Sequence, residues 1–211
     1  MPEPVVRGLY AIADTLYLPE ERLASAVEEA ITGGARVIQY RDKGHDRARR
    51  HRQALILLAV CRARGVPLIV NDDVQLAAAI DADGVHVGRD DAAIAAACAQ
   101  FGANRIIGVS CYNELERARA AESAGASYVA FGRFFPSRSK PQAVSAPIEL
   151  LSRARAELRV PIVAIGGITP ENGGSLIEAG ADALAVIEGV FNQTDVRAAA
   201  RRYARLFENP A

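Results

Sequence analysis

The chain has 211 residues, 50% hydrophobic and 24% charged, with 25 Lys and Arg against 25 Asp and Glu. This composition excludes a disordered chain. A formal net charge of zero leaves no overall field to attract nucleic acid or an anionic membrane, though a local basic pocket for a small anion stays open. Met1 to Tyr10 lacks a signal-type apolar core and nowhere do eighteen apolar residues run together, which predicts a soluble, cytoplasmic protein. Cys61, Cys98 and Cys111 are odd in number and widely spaced, so neither disulfides nor zinc are indicated, and they read as buried small hydrophobes.

In chain order, Leu9 to Asp14 reads as a strand, Glu20 to Thr32 as a helix, Val37 to Arg41 as a strand and Asp46 to Arg64 as a helix. Strands follow at Leu68 to Asp72, Gly84 to Gly88 and Arg105 to Ser110, then a helix at Glu114 to Ala124. Further strands fall at Tyr128 to Gly132, Pro161 to Gly167 and Ala183 to Ile187, with a last helix at Asp195 to Phe207. The segments Gly33-Gly34-Ala35, Gly125-Ala126 and Gly180-Ala181 repeat a pattern of Gly closing a helix and Ala opening a strand, which a left-handed C-cap explains. Asp81-Ala82-Asp83-Gly84 is a looser copy. Eight strands, at about 26 residues per strand and helix unit, predict one (β/α)8 TIM barrel over residues 1–211. An open doubly wound sheet is the alternative, but nothing marks a sheet edge or a switch point.

Buried parallel strands should be uniformly apolar, yet polar residues gather late in these runs: Asp14, Gln39, Arg41, Lys43, Asn71, Asp72, His86, Ser110 and Glu188. In a barrel they all reach the C-terminal face, where such enzymes build their sites. Arg41 and Lys43 can meet one anion together. Asp72-Asp73 and Asp90-Asp91 follow adjacent strands, and one carboxylate of each pair suits Mg2+ shared with a substrate phosphate while the other suits a helix N-cap. The loop from Gly132 to Pro141 carries two hydroxyls and three cations, which suit a phosphate as well as a solvated loop. Gly166, Gly167 and Gly189 would let backbone N–H groups approach a second phosphate.

The segments Gln39-Tyr40-Arg41-Asp42-Lys43, Asn71-Asp72-Asp73, Asp83 to Asp91, Gly108-Val109-Ser110, Tyr128 to Gly132, Ser137-Arg138-Ser139-Lys140 and Ala164 to Ile168 together resemble the thiamine phosphate synthase family, in its order of motifs. The resemblance implies a transferase that joins hydroxymethylpyrimidine diphosphate to hydroxyethylthiazole phosphate, releasing pyrophosphate through a dissociative pyrimidinyl cation. It implies that Gln39, Arg41, Lys43, Asn71, Ser110 and Lys140 bind the diphosphate substrate, with Arg41, Lys43 and Lys140 stabilising the leaving group, and that Tyr40 and Asp42 are also substrate-binding residues. Asp72 and Asp91 would hold Mg2+. Ser137, Arg138, Ser139, Gly167, Ile187 and Glu188 match the thiazole-phosphate site. The implied partners are small molecules, with no nucleic acid or membrane, and a homo-oligomer is left open.

Departures from the family pattern include Ser137 and Ser139 for Thr, Arg89 for Gln, Arg133 for Pro and Glu188 for Ser. The carboxylate of Glu188 beside an expected phosphate predicts a side chain turned away, toward Arg133, Arg138 or solvent. The related thiazole tautomerase and a non-catalytic phosphate-ligand sensor are the competing readings. The diphosphate-binding set argues against the tautomerase and the metal ligands against the sensor.

Overall fold

In the computed structural model, which describes residues 6–88, 91–101, 105–136 and 144–208 without the side chains of residues 91–93 and of Cys98, eight parallel strands close into a barrel in sequence order. The strands are β1 (Gly8–Asp14), β2 (Ala35–Arg41), β3 (Leu68–Asn71), β4 (Gly84–Val87), β5 (Ile106–Tyr112), β6 (Tyr128–Phe131), β7 (Ile162–Ile165) and β8 (Ala183–Val186). The ring closes where β8 pairs with β1, with Ala185 beside Tyr10. Around it run α1 (Glu20–Thr32), α2 (Arg47–Arg64), α3 (Val74–Ala79), α4 (Asp91–Phe101) and α5 (Leu115–Ser123). These are followed by α6 (Glu149–Glu157), α7 (Gly173–Glu178), α8 (Glu188–Phe191) and α9 (Val196–Ala204). The expected (β/α)8 architecture is therefore present.

The boundaries follow local chemistry. Helices α2 and α9 start one residue later than the sequence suggests, because Asp46 and Asp195 act as N-caps whose carboxylates accept from the N–H groups of Arg49 and Ala198. Strand β3 stops at Asn71, since Asp72 turns into the left-handed region at φ 62°. The Gly-Ala repeat forms Schellman turns: Gly125 and Gly180 take positive φ, and Ala126 and Ala181 donate back five residues to Ala121 and Leu176. In the looser copy Asp81 takes the glycine's role, at φ 58°.

Strand residues alternate between two apolar layers. Tyr10, Ile12, Val37, Ile69, Tyr128, Ala130 and Val163 fill the barrel interior. Leu9, Ile38, Val85, Val109, Phe131 and Leu184 face the helices, and each such side chain contributes about 1.5–3 kcal/mol by leaving water. Cys61 and Cys111 belong to this outer layer, and burial pushes both thiols up to about 12. At pH 8 only about one thiol in 10⁴ would then be the reactive thiolate. Iodoacetamide at that pH should leave both unlabelled in the native protein and label both after unfolding, as peptide mass spectrometry would read. The side chain of Cys98 lies outside the described residues.

Candidate active site

A cavity of about 500 Å³ opens at the C-terminal ends of the strands. Of the residues expected at the site, Gln39, Arg41, Lys43, Asn71, Asp72, Ser110, Gly167, Ile187 and Glu188 line it. Tyr40 and Asp42 are not among the lining residues. Both are buried and their hydroxyl and carboxylate are engaged with Gln53 and Arg49 of α2. The two-residue period of β2 explains the separation, since Gln39 and Arg41 face inward and Tyr40 faces the helices. Ser137, Arg138, Ser139 and Lys140 lie outside the described residues, as do Arg89 and the side chain of Asp91.

One flank of the cavity carries charge. Arg41 is paired with Asp14, whose side chain is only 4% exposed, and Lys43 is paired with Asp72. Asn71 donates its side-chain N–H to Asp72 at 2.8 Å. Within the aspartate pair Asp73 takes the cap of α3, accepting from the N–H of Leu76 at 2.8 Å, and holds Arg50 at 2.7 Å, while Asp72 lines the cavity. Asp42 receives the N–H of Gly44 and Arg49 at 2.9 Å, which fastens the turn carrying Lys43. Burial, with the nearby Asp42 charge, holds the Tyr40 hydroxyl well above its usual range.

The floor of the cavity is a hydrogen-bonded chain that crosses the barrel. Gln39 Nε2 donates to the Tyr10 hydroxyl at 2.8 Å, and the Tyr10 and Tyr128 hydroxyls lie 2.7 Å apart. Tyr128 is 2.9 Å from His86 Nδ1, and His86 Nε2 is 2.8 Å from Ser110 Oγ. Burial raises the pKa of both Tyr10 and Tyr128, so both phenols keep their protons at neutral pH. Sequence reasoning named neither tyrosine as a site residue. The available signal was parity, because Tyr10 lies two residues before Ile12 and Tyr128 two before Ala130 on the inward face, and Gly108 in β5 marks a close approach.

The opposite flank is built from backbone. Gly167 has φ 63°, and a Cβ there would lie 2.4 Å from the Pro136 carbonyl oxygen, so only glycine fits. A Cβ on Gly189 would meet the Tyr203 hydroxyl at 2.1 Å. Glu188 accepts a hydrogen bond from the Tyr17 hydroxyl at 3.0 Å, a partner in the loop after β1 that the sequence reading did not foresee. Among the described residues, no group of three or more His, Cys, Asp or Glu side chains could hold a metal by itself. An ion at Asp72 would therefore need oxygens from substrate or from a second loop.

Residues 9–190 match the family described as thiamine monophosphate synthase. The chain belongs to that family. It is 56% identical over 202 residues to the thiamine-phosphate synthase of Nitrosococcus oceani, covering 96% of this chain and 93% of that one. With the thiamine-phosphate synthase of Chromobacterium violaceum it shares 55% identity over 204 residues, 97% of this chain and 98% of the relative. The solved thiamine phosphate pyrophosphorylase from Pyrococcus furiosus superposes with a TM-score of 0.85 at 35% identity, covering 95% of each chain. Membership makes the chain a transferase of thiamine biosynthesis.

Proposed function

We propose that this chain joins hydroxymethylpyrimidine diphosphate to hydroxyethylthiazole phosphate, forming thiamine phosphate and releasing pyrophosphate. The observation that carries the reading is the division of one cavity into a flank of cations beside a carboxylate and a flank of glycine backbone, one for each phosphorylated substrate. In the dissociative course, the bond between the pyrimidine methylene carbon and the diphosphate oxygen breaks, its electron pair leaving with pyrophosphate. The thiazole nitrogen lone pair then closes the new carbon–nitrogen bond. No side-chain nucleophile is needed: Ser110 does lie 2.8 Å from His86 Nε2, but the other ring nitrogen faces the Tyr128 hydroxyl where a catalytic triad would place a carboxylate.

Arg41, Lys43 and Lys140 would take up charge developing on the leaving pyrophosphate, and Gln39, Asn71 and Ser110 would hold the pyrimidine diphosphate. Asp14 keeps Arg41 aimed, and Asp42 fastens the Lys43 turn. Ser137, Arg138, Ser139, Gly167, Ile187 and the backbone at Glu188 would hold the thiazole phosphate. The exposed Asp72 carboxylate is a hard oxygen donor and fits Mg2+, which takes one or two protein carboxylates and completes its shell with water and phosphate. Asp72 and Asp91 would be its protein ligands, and the ion would supply positive charge to the diphosphate oxygens. In this reading the enzyme works in the cytoplasm on small molecules. No helix among the described residues is long and apolar enough to cross a membrane.

Purified protein incubated with both substrates and Mg2+ should yield thiamine phosphate by mass spectrometry, with none formed in excess chelator. Aromatisation of a thiazole phosphate without loss of pyrimidine diphosphate would instead identify a tautomerase. A second expectation concerns Glu188, which Tyr17 holds by its carboxylate. Backbone donors can serve the phosphate whatever this side chain is, so Glu188→Ser and Glu188→Gln should change the thiazole-phosphate KM less than about threefold. A tenfold fall in that KM would mean that the carboxylate opposes the phosphate directly.

A further inference from the structure

The buried chain Gln39–Tyr10–Tyr128–His86–Ser110 lines the cavity along its whole length, and its three middle members have no part in the reaction as described above. Its hydrogen bonds cannot be oriented independently. Each phenol carries one proton and sits between two neighbours in the chain. Gln39 Nε2 donates to the Tyr10 oxygen, and among the described residues the other partner of that hydroxyl is Tyr128. The Tyr10 proton therefore goes to Tyr128, since a fully buried hydroxyl proton without an acceptor is costly. By the same step the Tyr128 proton goes to His86 Nδ1. A ring nitrogen that accepts carries no proton, so the imidazole proton sits on Nε2 and is donated to Ser110 Oγ. The Ser110 hydroxyl thus receives a hydrogen bond from beneath, and its own proton is left for the cavity.

We propose that Tyr10, Tyr128 and His86 are positioning residues that fix the polarity of the two ends, holding Ser110 as a hydrogen-bond donor and the Gln39 carbonyl as an acceptor toward substrate. The opposite polarity would turn every bond around, with the ring proton on His86 Nδ1 and the Ser110 hydroxyl donating to a bare Nε2, so that serine could only accept from substrate. The role assigned to these ends rests on the proposed function, in which a diphosphate offers only acceptors and an aminopyrimidine offers N–H donors. The polarity itself does not rest on it. Such a chain supplies a dipole already oriented before substrate arrives, so no hydroxyl has to turn as charge develops.

The test reads the tautomer directly. Histidine occurs at positions 45, 51 and 86, and the His86 signals are those that vanish in His86→Gln. In the full chain labelled with ring-¹⁵N histidine, without substrate, His86 should show a protonated Nε2 and an unprotonated Nδ1. Tyr128→Phe, which keeps the ring and removes the proton donor to Nδ1, should shift His86 to a mixture of tautomers and lower kcat by about tenfold or more. His86→Gln can still offer an amide N–H to Ser110 and should retain several times the kcat of His86→Ala. A parent protein with the proton on Nδ1, or a tautomer untouched by Tyr128→Phe, overturns the polarity. Equal kcat in the Gln and Ala variants overturns the positioning role. Because the tautomer is read without substrate, a protein that makes no thiamine phosphate but shows the Nε2 form refutes the function and leaves the polarity standing.

Discussion

Asp72→Asn is expected to lower turnover by a hundredfold or more, on the order of 2.7 kcal/mol in the barrier, while leaving the urea unfolding midpoint where it was. Asparagine keeps the size of aspartate and tolerates the left-handed backbone at φ 62° better than most residues, so the turn after β3 has no reason to change. What disappears is the negative charge. The amide is a poor Mg2+ ligand and no longer pairs with Lys43. The neighbouring Asp73→Asn makes the contrast, because asparagine caps a helix about as well as aspartate and the partnership with Arg50 is all that weakens. That variant should keep most of its turnover. Steady-state rates with both substrates decide the matter, and an Asp72→Asn protein as active as the parent would reduce this carboxylate to a structural role.

Gly108→Ala is expected to cost about 3 kcal/mol of stability, the upper end of what overpacking a core usually does. The added methyl would lie 2.0 Å from Tyr128 Cζ and 2.2 Å from its hydroxyl oxygen. That ring cannot step aside, for it is fully buried, stacked on His86 at 5.6 Å and met edge-on by Tyr10 at 5.9 Å. Moving it would also break two hydrogen bonds in the chain beneath the cavity. Urea denaturation measures the loss, and the residual folded protein should be slow in turnover as well. Adding Tyr128→Leu should recover part of the stability, since contacting residues couple. A Gly108→Ala protein as stable as the parent would mean that Tyr128 has room it does not show.

The barrel was readable because the apolar runs recur at a regular spacing, and several units add their own punctuation, a capping aspartate at Asp46, Asp73 or Asp195 or a Gly-Ala turn. The split between Asp72 and Asp73 was equally local, since a cap must stand directly before its helix. Other features depended on the third dimension. Gln39 to Lys43 forms one motif in sequence, but the strand's two-residue period sends Tyr40 toward the helices, and the engaged Asp42 stays off the cavity wall. Tyr10 and Tyr128 look like ordinary core residues in separate strands, 118 positions apart, until the closed ring brings their hydroxyls together. The bond between Tyr17 and Glu188 spans 171 positions, and no local pattern announces it. Charge arithmetic gave a reason for the glutamate to turn from a phosphate but could not name the Tyr17 hydroxyl that bonds it.

The pairing of β8 with β1 also sets an order of events for a chain made from its N-terminus. Every other strand can find its neighbour once the next unit has emerged, whereas one edge of β1 must wait until residue 186 has been added. Until then the growing sheet has two open edges, the places where a nascent protein is most exposed to wrong partners. Arg41, Lys43 and Asp72 of the charged side are made early, and the glycine side arrives only with the final strands. An unfinished chain therefore owns half a binding site, and the last pairing to form is the one that turns an adhesive sheet into an enzyme.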